Sequence, residues 1–288
     1  MGLRDRAFRR FRGDGTPRRW RFLVLWRYGR RDVFSTRIIT GLYALTFAPL
    51  LVAAVLIYLR HNLPALEAME LEAADLLPID AGFFGIFLRV QGSLAFLLTA
   101  LVGPGLVSPD LAHNGLALYL SRPFSRGEYV LGKMSVLVVL ASSITWVPLL
   151  ALVALQAGLE PSWLLANLRI PVAIFVGSWI WIVFLSLLAL AISSWVRWRV
   201  VAAAMLFATI LMGSAFGEFV NALFRTSWGE LFSPGLLVLG IWQAMLHGSE
   251  VANLARVPQP AAWAALTVMT ALCLLVLDRK LRAYEVVR

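Results

Sequence analysis

Ile38 to Leu59 contains no charged residue. A helix needs about 20 predominantly apolar residues to cross the hydrocarbon of a bilayer, and this stretch is long enough. Because the bilayer core offers no water, the backbone groups of such a stretch must bond within their own helix. The pattern recurs at 83–102, 134–155, 170–192, 200–217 and 257–277, and Arg89 is the one charge in all five. Composition points the same way. Hydrophobic residues make up 60% of the chain and charged residues 15%, with a mean hydropathy of +0.79. The expected fold is all-α: a polytopic membrane protein of six transmembrane helices over 38–288, preceded by a basic segment at 1–37. Pro49 is expected to kink the first span, and the third span carries Pro148.

Charge sets the orientation. A net charge of +10 could suggest a nucleic-acid partner, but 12 of the 26 Lys and Arg residues fall in the first 37 positions, beside the first span. That distribution is a membrane-orientation signal. It argues for no nucleic acid. Leu3, Ala7, Phe8 and Phe11 recur at helical spacing among arginines, and Trp20, Leu23, Trp26 and Phe34 continue the pattern. This is the signature of one or two interfacial helices on an anionic leaflet, and a docking surface for a cytoplasmic partner is compatible with it. The basic region is too long for a cleavable signal peptide, and no small-residue cleavage site closes the apolar run. With six spans both termini lie inside. The twelve basic residues of the N-terminal segment, three of the central loop, two of the 195–199 turn and four of the tail are then cytoplasmic. The acidic loop Arg60 to Asp80 lies outside. Leu231 to Ser249 is nearly long enough to cross, but Pro234, Gly235 and Gly240 interrupt it. It reads as a broken, re-entrant external hairpin before the last span, backbone that is tolerated only where protein or a water cavity surrounds it.

The longest polar interruption between two very apolar runs is 103–133. Ser108-Pro109-Asp110 has the composition of a helix start: Ser as N-cap, Pro at the first helical position, Asp in the first turn. Leu111, Ala112, Leu116, Leu118 and Leu120 would give a short helix an apolar side. Pro123 ends it and pushes Arg122 toward an extended conformation. Ser125 and Glu128 form a capping box that starts the next helix.

Candidate chemistry is sparse. Gly127 to Met134 nearly matches a phosphate-binding G-x-x-x-x-G-K-[ST] loop. However, Met134 replaces the hydroxyl that would hold Mg²⁺, no strand precedes the run, and a membrane helix follows it. Cys273 sits in an apolar run as a small apolar residue. His61, His113 and His247 are far apart and lack metal-ligand spacing. Ser214 with His247 could imitate an intramembrane hydrolase, but no nucleophile elbow is present. Neither a catalytic residue nor a metal site is expected. Three polar residues are candidates for a transport path: Arg89, Gln91 and Glu218. Arg89 either faces the bundle interior or snorkels outward. Glu218 either pairs with Arg89, binds a substrate, or is an interfacial acid.

Gly105, Asp110, the Leu-rich 116–120, and then Ser121, Arg122, Pro123, Ser125, Arg126, Tyr129, Gly132 and Lys133 resemble the stretch after the second span in permease subunits of ABC transporters of the second type. The tail Arg282-Ala-Tyr-Glu-Val-Val-Arg288 is similar to that family's basic, Glu-Val-containing end. In layout the resemblance covers the whole chain; its specific motif covers about thirty residues. The Arg60 to Asp80 loop departs from relatives that carry a large external domain there.

The resemblance implies a permease in a bacterial or archaeal cytoplasmic (inner) membrane that exports a substrate. Two permeases, identical or paralogous, would assemble with two copies of a separate ABC ATPase subunit. The chain itself would carry no cofactor, since the partner binds ATP and Mg. A cytoplasmic coupling helix would sit in a cleft of the ATPase, involving Ser108, Pro109, Asp110, Leu111, Leu116, Leu120, Arg122, Pro123 and Arg126. Asp110, Arg122 and Arg126 would be the contacting charges, although both arginines could bind anionic lipid instead. A stand-alone secondary transporter or channel is the competing reading. Such proteins show inverted repeats and several intramembrane ionisable groups, and this chain has neither.

Overall fold

The computed structural model describes residues 22–62, 78–112, 125–248 and 257–282. Among these residues the regular structure is entirely helical. The elements are α1 (Phe22–Val33), α2 (Arg37–Leu45), α3 (Ala48–Arg60), α4 (Ala81–Ala112), α5 (Arg126–Ile144) and α6 (Trp146–Leu159). They are followed by α7 (Pro161–Ala166), α8 (Arg169–Ser193), α9 (Arg199–Phe224), a 3₁₀ helix (Trp228–Phe232), α10 (Pro234–His247) and α11 (Gln259–Arg282). Six segments are long and apolar enough to cross a membrane: α2–α3, α4, α5–α6, α8, α9 and α11. They correspond in order to the six spans expected from the sequence.

Two spans break where proline removes a backbone donor. A proline at position i cannot bond to the carbonyl of i−4, and its ring crowds that carbonyl. Pro49 therefore disrupts the turn that begins at Leu45, and the helix pauses at Thr46–Phe47 before resuming at Ala48. Pro148 acts the same way on Ile144, and the chain breaks at Thr145, whose Oγ1 donates to the Ala141 carbonyl at 2.7 Å. Gln91 steadies the first break from outside: its Nε2 donates to the Thr46 carbonyl at 3.0 Å, in a fully buried setting.

The expected helix start at Ser108-Pro109-Asp110 is not formed. Helix α4 runs on past residue 102, through both Pro104 and Pro109, to Ala112. Local signals favoured a cap, but packing overrides them. Val102, Leu106, Val107 and Ser108 are buried, and a methyl group at Gly103 would lie 2.8 Å from the Ala189 side chain of α8. Arg199 donates to the Leu101 carbonyl at 3.1 Å, beside the turn that Pro104 weakens.

Helix α8 is the centre of the bundle. Within the protein, 67% of its apolar stretch is buried, against 56% for the second and third spans, 22% for the first and sixth, and 17% for the fifth. It packs on α4, α5, α10 and α11. At 14 residues, α10 is about 21 Å long at 1.5 Å per residue, short of the ~30 Å hydrocarbon core. Glycines seat it. Trp242 of α10 projects into a notch floored by Gly92 of α4 and Gly177 of α8, where a methyl on Gly177 would lie 2.7 Å from Trp242 Cδ1. The 3₁₀ helix lies on Gly213 and Gly217 of α9, where added methyls would meet the Phe232 and Gly229 carbonyl oxygens at 2.6 and 2.5 Å. The Gly229 N–H donates to Asn221 Oδ1 at 2.7 Å, and the Ser214 and Ser233 hydroxyls are 2.8 Å apart.

Candidate functional site

The polar chemistry gathers at one end of the bundle, where α4 ends and α5 begins. Tyr129 and Lys133 are four residues apart on α5, so they share a face. Both reach Asp110 in the last turn of α4. The Tyr129 hydroxyl donates to Asp110 Oδ2 at 2.8 Å, and Lys133 Nζ lies 2.9 Å from the same oxygen. The pair is half-buried, with the Lys133 and Asp110 side chains 12% and 18% exposed. Lys133 Nζ also stands 5.7 Å from the centre of the Tyr129 ring. Tyr129 itself is buried. Hydrogen bonds to charged groups contribute about 1.5–3 kcal/mol each, so this clasp holds α4 and α5 together firmly.

The start of α5 is fixed as its sequence predicts. Ser125 N donates to Glu128 Oε2 at 2.7 Å, and Glu128 N donates to Ser125 Oγ at 3.2 Å. Next to the cap, Arg126 Nη1 lies 3.2 Å from Asp278 of α11, and Asp278 is also bonded by Arg282 at 2.8 Å. Lys280 stands over the Trp195 ring at 4.8 Å, joining the α8–α9 turn to α11. The second to sixth spans are thus cross-tied at this end.

The predicted residues divide. Asp110 and Arg126 are at this end, but each is engaged inside the protein, Asp110 by Tyr129 and Lys133, Arg126 by Asp278. Ser108 is buried in α4, its Oγ 3.5 Å from the Ser193 carbonyl, and Pro109 is exposed. Leu116, Leu120, Arg122 and Pro123 lie outside the described residues, as do the 1–21 part of the basic segment, His113, most of the acidic loop and the Glu-Val tail; Leu111 lies within α4. Gly127 to Met134 is continuous helix rather than a loop.

The transport-path candidates do not converge. Arg89 is exposed on α4, and its Nε donates to the Gly85 carbonyl at 3.2 Å. It lines a cavity of about 160 Å³ with Gln243 and His247. Glu218 lines a separate cavity of about 380 Å³ with Glu230 and Gln259. The two cavities share Leu239 and Gln243 of α10 as a wall, so Arg89 and Glu218 are not paired with each other. Gln91 faces neither cavity; it is a core residue. Among the described residues, no three His, Cys, Asp or Glu side chains come close enough to hold a metal ion.

Asp278 went unrecognised in the sequence, and Tyr129 and Lys133 were singled out only within the family-like motif, not as partners of Asp110. Tyr129 and Lys133 carried a usable signal, their four-residue spacing at the start of a helix. Asp278 carried none, because its partner is 152 positions away. No family model and no curated protein matches the chain.

Proposed function

We propose that this chain is the membrane-spanning permease subunit of an ABC transporter of the second type. It exports a substrate across the cytoplasmic membrane, driven by ATP hydrolysis on a separate ATPase subunit. The observation that carries the reading is the clasp. Asp110, Tyr129 and Lys133 are positions on which the sequence resembles that family, and in three dimensions they tie the last turn of α4 to the start of α5. In this reading 113–124 is the cytoplasmic element that the ATPase grips, and both termini are cytoplasmic. Helix α1 lies at the inner membrane surface, and α10 with its 3₁₀ helix forms an external re-entrant pair.

The mechanics follow from the contacts. A push on 113–124 enters α4 through Asp110 and α5 through the capped Ser125 end, and α4 is packed along α8, the most buried helix. Rigid helices joined by short stiff connections convert such a push into tilt rather than local bending. The thinly covered first, fifth and sixth spans leave apolar faces for lipid and for a second permease. Because Arg126 is already paired with Asp278, Arg122 is the better candidate for a charge that contacts the ATPase.

The test is a pull-down of the tagged chain from its native membranes. An ABC ATPase is expected with the wild type and with Arg126→Gln, and is expected to be lost with Arg122→Glu. Absence of any ATPase from the wild type would favour the stand-alone transporter.

A further inference from the structure

A groove of about 230 Å³ lies between α1, α2 and α5. Its floor is α5, from Val136 through Val139 to Ser143, about 10 Å at 1.5 Å per residue. At the basic end Arg30 closes one wall, its guanidinium 4.9 Å above the Trp26 ring. At the far end the Tyr43 and Ser143 hydroxyls meet at 2.9 Å and shut the groove off. Between those ends the lining is apolar. Val139 is 48% exposed, so the groove opens outward along its length.

The shape is that of an amphiphile, a cation at the surface end and a closed apolar slot behind it. Arg30 is the one charged residue among the described residues that line the groove, and the flanking sequence is basic. Over residues 22–37 there are four arginines, Arg27, Arg30, Arg31 and Arg37, against the single acid Asp32. Arg30 is also preoriented, since stacking on Trp26 restricts its side chain and leaves its outward N–H donors available. We propose that this groove binds one anionic phospholipid, with its phosphate on Arg30 and an acyl chain along Val136 and Val139. The lipid would seat α1 against the first and third spans. This inference needs the membrane reading of the six helices and is independent of the ATPase reading.

Native mass spectrometry of the full-length protein tests it. The protein is released from its membranes in mild detergent and exchanged into micelles holding equal phosphatidylglycerol and phosphatidylcholine. The expected wild-type result is a single retained phosphatidylglycerol, preferred over phosphatidylcholine. Arg30→Gln should cut that preference about fivefold, the effect of one arginine near an anionic surface. Val139→Trp, which fills the slot from its exposed side, should remove the retained lipid. Both positions are exposed, and an unchanged elution profile confirms that each variant is folded. Equal retention of the two lipids by the wild type overturns the proposal, as does a change in only one of the two variants. So does displacement of the lipid by free inorganic phosphate, which would mark a bare anion site.

Discussion

Asp110 accepts from Tyr129 and Lys133, and the Lys133 and Asp110 side chains are only 12% and 18% exposed. Removing one member leaves the other buried and unpaired, which costs more than the pair itself contributes. Lys133→Met should therefore lower the melting temperature in detergent by the equivalent of roughly 3 kcal/mol, while Asp110→Leu combined with Lys133→Met should recover most of the loss. A double variant as unstable as the sum of the single changes would show that the two residues act independently. The Trp242 notch gives a second residue-scale outcome. A methyl on Gly177 overpacks Trp242, at about 1–3 kcal/mol. Gly177→Ala should be destabilising in the wild type and nearly neutral when Trp242→Leu is already present, as read by thermal melting. These details were not legible in the sequence. Glycine, tryptophan and glutamine in apolar runs have no local signature for the neighbour they meet, and Arg89 with Glu218 looked like a pair only because both are polar.

At the scale of elements, the sequence was most informative where bilayer thickness or helix capping dictates the answer. Six spans followed from apolar length, and α10 was set apart by its Pro and Gly interruptions. The Ser125–Glu128 capping box formed as its spacing requires. Ser125→Ala should cost about 1 kcal/mol and loosen the junction between 113–124 and α5, measurable as faster amide exchange at the start of that helix. Ser108-Pro109-Asp110 misled because N-cap chemistry is a local preference of about that same size, whereas burial of Leu106, Val107 and Ser108 against the bundle is a larger, non-local term. The breaks near Pro49 and Pro148 fall two or three residues before each proline, as loss of the i−4 bond dictates.

Across the whole molecule, buried contacts concentrate on α4, α5 and α8, and polar ties concentrate at the end that carries the basic residues. The Arg126–Asp278 pair there is one-third to one-half exposed and should contribute at most about 1 kcal/mol, so Arg126→Gln should leave the fold intact. That makes this end a frame around the point where α4 ends and α5 begins. The most direct test of this account is photo-crosslinking in native membranes from a probe placed at Leu116. Leu165, 77% exposed on the short helix α7 at the opposite end, serves as the control position. The account predicts an adduct with an ABC ATPase from Leu116 and none from Leu165. Adducts with an ATPase from both positions, or from neither, would contradict it.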